Sequence, residues 1–119
     1  MSVPAFSATD GVSSVLGAAL DGLSMRQRVI ADNIANIDTP GFRATSVDFE
    51  SSLRVAITSG DPSRVSVATM ATDTPVGPDG NNVDLRKETI AAMQSQFQYQ
   101  MMTRAVSDRF DILRISAGA

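Results

Sequence analysis

Along the first third of the chain, apolar residues recur at alternating steps of four and three. Leu16, Leu20, Leu23, Ile30, Ile34 and Ile37 form the series, and Gln27 is its one interruption. This is the stripe of an amphipathic helix. Asp21, Arg26, Arg28 and Asp32 fall on the other faces, and Thr9 or Asp10 can cap the start. A helix is therefore predicted from Gly11 to Asn36, roughly 40 Å long. In the last third, Leu85, Ala92, Tyr99, Val106 and Leu113 stand seven residues apart, with Met102 and Phe110 beside them, and Ile90, Met93, Phe97 and Met101 widen the apolar face. Asn82 or Asp84 can cap this element, Asp84 and Glu88 suit its N-terminal dipole, and Gly118 follows the last periodic residue. The prediction is a helix over 84–116, about 50 Å long. The spacing fits a bundle helix and a coiled-coil strand alike.

Between them, residues 38–83 hold four of the five prolines and many Ser, Thr, Asp, Asn and Gly residues, a composition from which no globular core is expected. Phe49, Leu53 and Ile57 recur every four residues behind Thr45 and Asp48, which predicts one short helix with a capping-box-like start. RVSVAT alternates like an edge strand, and ATDTPVGPDGNN is turn chemistry throughout. The fold class expected is mainly α: two long terminal helices in an antiparallel hairpin or coiled coil, with a long irregular middle that holds a short helix and a short β-strand. Residues 1–37, 38–83 and 84–119 would form one elongated unit. Two helices bury only one seam between them, so this chain makes a poor monomer unless other subunits cover the remaining apolar surface.

Composition removes several function classes. A formal charge of −3 with pI near 4.7 argues against a nucleic-acid partner. The chain has no Cys and no His, so thiolate chemistry and the commonest acid/base and metal ligand are missing. Asp108 and Asp111 lie among Arg104, Arg109 and Arg114 as a solvated ion-pair face, not a catalytic pair. DGNNVD lacks the ligand order and terminal Glu of a calcium loop and reads as a turn before a helix. No catalytic residue, metal, cofactor or small-molecule substrate is expected. The N-terminus has no basic and apolar leader, which taken alone points to the cytosol.

The phrase NIANIDTPGF, residues 33–42, closes the first helix. Pro40 forbids its continuation and Gly41 permits a left-handed backbone. Asn33 and Asn36 can turn their amides onto the last free carbonyls, yet two amides three residues apart on one face exceed what a helix stop needs. At least one is expected to reach a neighbouring subunit. NIANIDTPGFRA resembles the signature of the flagellar basal-body rod protein family, in Asn33, Ile34, Ala35, Asn36, Thr39, Pro40, Gly41 and Phe42. DFESSL, DGNNVDLRKE and FQYQMMTRAVSDRFDILRISA extend the likeness, most closely to the family's proximal-rod members, while residues 58–76 match nothing identifiable.

That resemblance implies a structural subunit, secreted without a cleaved signal by the flagellar export apparatus and assembling helically into the drive shaft around the export channel. This moves the expected location from the cytosol to the basal body, in the periplasmic space at the inner-membrane ring. Implied partners are copies of itself, other rod proteins, the membrane (MS) ring, the rod-ring junction protein and the export gate. The seam residues named above, from Leu16 to Ile37 and from Leu85 to Leu113, become candidate subunit contacts together with Asn33 and Asn36. Phe49 and Leu53 match an early motif read at the export gate, with a short docking helix as the competing reading. From a different class, a soluble two-helix adaptor or export chaperone also fits the pattern.

Overall fold

The computed structural model describes residues 3–61 and 64–118, with side chains described from residue 11 onward. Three helices and two strands follow one another: α1 (Val3–Ala35), β1 (Thr45–Asp48), α2 (Glu50–Ser59), β2 (Ala68–Ala71) and α3 (Leu85–Gly118). The molecule is elongated, 64 × 25 × 15 Å. It is mainly helical, as the periodicity predicts.

α1 starts at Val3 rather than Gly11, so Thr9 and Asp10 lie within the helix instead of capping it; their side chains fall outside the described ones. Pro4 is tolerated because the first turn needs no N–H donor. The early part holds mostly small residues, which sustain a helix without marking a stripe. α3 matches its predicted range within two residues at each end. Asp84 is its cap, its Oδ1 accepting the Lys87 N–H at 3.2 Å.

The middle segment corrects the expectation of a coreless loop. β1 pairs antiparallel with β2 in the register Thr45↔Ala71 to Asp48↔Ala68. On β1, Ser46 faces out and Val47 faces in, as the two-residue pleat requires. Val47 and Phe49 then join Ala19 and Leu23 of α1 in the hydrophobic core, with Met25, Val29, Leu53, Tyr99 and Met102 packed around them. The strand predicted at RVSVAT lies farther on, because β2 takes its register from β1. α2 forms where predicted. Asp48 Oδ1 accepts the Ser51 N–H at 3.3 Å, while Thr45 belongs to β1. Phe49 is buried and Leu53 half-buried, but Ile57 is 63 % exposed.

Phe49 reaches α1 through a gap left by Gly22. A Cβ at Gly22 would stand 2.6 to 2.9 Å from three ring carbons of Phe49, closer than carbon atoms pack. Arg26 also lies over the ring, its guanidinium 4.8 Å from the centroid. Its Nη2 also donates to the Val47 carbonyl at 2.7 Å and to both carboxylate oxygens of Glu50. One arginine thus ties α1 to β1 and α2.

Helices α1 and α3 meet along much of their length. Asn33 bonds Glu88 near one end, Arg26 reaches Gln98 farther along, and Leu16 lies by Val106 toward the other end. On α3 the positions turned toward the rest of the chain are Glu88, Ala92, Ser95, Tyr99, Met102, Val106, Arg109 and Leu113, alternating by four and three, with Ala91 beside them. Half of these are polar or small, so the seam is thin. The Ser95 hydroxyl is wholly buried without a hydrogen-bond partner among the described residues.

Candidate functional site

The chain's polar chemistry gathers where α1 ends. Its helix stops for the reasons legible in NIANIDTPGF. The Asn36 Nδ2 donates to the Asp32 carbonyl at 2.8 Å, the Thr39 hydroxyl donates to Asn36 Oδ1 at 3.0 Å, and Gly41 has φ of 77°. Pro40 is exposed. Asn36 therefore does what a helix-stop amide should.

Asn33 does something else. It is 1 % exposed, and its amide is used within its own chain. Nδ2 donates to the Thr45 carbonyl at 2.7 Å and to Glu88 Oε1 at 3.1 Å, while Oδ1 accepts the Thr45 N–H at 3.2 Å. Both donors and one acceptor are satisfied, and α1, β1 and α3 are joined at a single side chain. Within the single chain, then, the Asn33 amide is engaged by β1 and α3. A backbone that must pair at β1 lies close enough to consume the amide first. Burial of Glu88 holds its carboxyl above the ordinary range; the Asn33 hydrogen bond and Lys87 oppose that rise, and Asp84 adds to it.

A second set of bonds comes from the DGNN turn. Asn81 Nδ2 donates to the carbonyls of Asn36 and Thr39, each at 2.8 Å, and its Oδ1 accepts the Val83 N–H at 2.8 Å. Asn82 Oδ1 accepts the Ala44 N–H at 2.6 Å. The Gly41 N–H donates to the Asp79 carbonyl at 2.9 Å, and a Cβ on Gly80, whose φ is 83°, would lie 3.2 Å from the Gly41 Cα. The two glycines let two turns touch. Asp79, Asn81 and Asp84 thus serve the backbone, and among the described residues no group of His, Cys, Asp or Glu could hold a metal ion.

Sequence reasoning located the phrase but missed its partners Asn81, Asn82 and Glu88, and the separate links made by Arg26. The repeated Asn at 81 and 82 was the available signal, since adjacent amides before a helix exceed what one cap needs. The predicted subunit contacts divide by exposure. Leu23 and Ile30 are buried within the chain itself; Leu16, Leu20, Ile34, Ile37, Ala92, Tyr99, Met102, Val106 and Leu113 are half-buried; Leu85 and Phe110 are exposed at 51 % and 61 %. Phe49, offered as an export signal, is closed inside the core at 4 % exposure.

Buried clamps behind a helix stop, at the shared end of two long helices, describe a structural element and not a reactive centre. Residues 15–43 match the family model described as flagella basal body rod protein. The chain is 35 % identical to flagellar basal body rod protein FlgB of Bacillus subtilis, covering 87 % of this chain and 91 % of that one. It is 32 % identical to the FlgB of Borreliella burgdorferi over 81 % of this chain and 87 % of that one, and 34 % identical to that of Escherichia coli over 75 % and 80 %. The chain belongs to the flagellar basal body rod protein family, and within it is similar to FlgB. It is a structural protein of the flagellar basal body and not an enzyme, which disfavours the adaptor or chaperone reading.

Proposed function

We propose that this chain is a proximal-rod subunit that assembles helically through α1 and α3 into the part of the drive shaft enclosing the export channel. The two helices form an antiparallel hairpin with a coiled-coil seam, and the clamp after α1 fixes how the chain leaves that helix. The observation that carries the reading is the outer surface of α3. There Ile112 and Ile115 are 56 % and 70 % exposed, along with Phe110, and a lone chain in water would not be expected to leave so much apolar surface open. Neighbouring copies and other rod proteins would cover it, with the membrane ring, the rod-ring junction protein and the export gate at the base. The site is then periplasmic, at the inner-membrane ring, reached without a cleaved signal peptide.

Phe49 and Leu53 bear on the export route. A gate that reads them must meet the unfolded chain, because folding buries Phe49 against Gly22 and Arg26. Replacing both Ile112 and Ile115 by Asp tests the assembly reading. Both are exposed, so the variant should be secreted and retain its helix content by circular dichroism while rods fail to form. Cells that swim normally with this variant would contradict it.

A further inference from the structure

We propose that α3 joins copies of this chain by a ridge on its back, which enters a groove between α1 and α3 of the next copy. The proposal rests on the rod reading and names the surface that reading leaves open. The ridge is Ile90, Met93, Phe97 and Met101, exposed at 51, 70, 63 and 58 %. At 100° per residue they fall on one stripe, opposite the seam residues Glu88, Ser95 and Tyr99. α3 is therefore apolar on two faces, and α1 covers only one.

The groove is on the same chain. Gln27, Ile30, Ala31 and Ile34 of α1 and Ala92 and Gln96 of α3 line a channel of about 250 Å³. Its walls carry no charge. The ridge matches it in this respect, since from Thr89 to Thr103 the chain has no Asp, Glu, Lys or Arg, in a sequence that is 19 % charged. Packing one on the other would strip water from no ion, whereas docking the ridge on the outward face of α1 would meet Asp21, Arg28 and Asp32. This match selects a second copy as the occupant.

Ridge and groove lie about a third of a turn apart on α3, so the contact is heterologous. One copy's ridge fills the next copy's groove and leaves a ridge and a groove free at the ends. Such a contact propagates head to tail, as a ring or an open helical series according to its rotation, instead of closing as a two-fold dimer. Met93 and Met101 on either side of Phe97 give the ridge an adaptable outline.

The chain has no cysteine, so introduced thiols report contacts without background. Phe97→Cys and Ala31→Cys are made as separate full-length variants, both at exposed positions, then mixed and oxidised at high concentration. The expected result is a mixed disulfide dimer, formed on the order of tenfold more than the dimers of either variant alone or of Val55→Cys on α2 paired with either, the excess a specific heterologous contact gives. Equal cross-linking of Phe97→Cys with itself would overturn the heterologous geometry, and no excess over Val55→Cys would overturn the contact. In cells, Phe97→Asp should be secreted and fail to assemble. Rods that form on Phe97→Asp contradict the ridge alone, whereas rods that form without this chain contradict the subunit reading beneath it.

Discussion

At the scale of single residues, the family phrase is mostly an internal device. Asn33 and Asn36 look equivalent in sequence, but only Asn36 stays with the helix end, while Asn33 is carried by the helix turn toward β1 and Glu88. No rule of spacing separates the two, because the difference is set by a strand that begins twelve residues later and a helix that begins past residue 84. Glu88 gives a test. Its carboxyl titrates above the ordinary glutamate range in the folded chain, chiefly because it is buried. The folded state then binds the proton more tightly than the unfolded one, so the stabilising contribution is full below 4.5 and is lost as pH rises through the folded value. Glu88→Gln keeps the acceptor for Asn33 and removes the charge. It should be more stable than the parent at neutral pH, with the difference shrinking toward zero as pH falls to about 4.5. Urea midpoints measured across that range check it; a difference that is constant or grows in acid would contradict the burial of an ionising Glu88.

At the scale of elements, the two long helices were legible and their interplay was not. Periodicity located α1 and α3 because each keeps a stripe for many turns. It missed the role of the middle segment, since Ala44, Val47, Phe49 and Ala56 are too few and too scattered among Ser and Thr to read as a core. Val47 and Phe49 nonetheless form one core with Ala19 and Leu23 of α1, and Ala44 and Ala56 are buried as well. Met93 and Phe97 widen the apolar face in the sequence pattern, but one α-helical neighbour cannot cover a stripe on the opposite face. Gly22 is the element-scale hinge of this packing, the point where α1 and β1 come close enough for Phe49 to rest on bare backbone. Gly22→Ala should destabilise the chain by roughly 1 to 3 kcal/mol, although Ala is the better helix former, because the ring must move. Gain of stability in a denaturant titration would show that Phe49 does not sit there.

At the scale of the whole molecule, a compact waist holds two long helical arms. The waist contains the core, the Arg26 links and the Asn33 and Asn81 clamps; the arms share only a thin seam and present open apolar surface. An isolated subunit should therefore be ordered at the waist and frayed in its arms until neighbours add the missing contacts. The central claim is that Asn33 holds its own chain together. Hydrogen exchange on the dilute purified chain, compared with Asn33→Leu, tests it most directly. Losing the amide leaves Thr45 and Glu88 without their partner, at ~1 to 3 kcal/mol for each buried group. Protection at Thr45, Val47 and the start of α3 should fall in the variant monomer, before any assembly is attempted. A variant monomer protected as well as the parent, yet unable to build a rod, would contradict the account and return Asn33 to the joint between subunits.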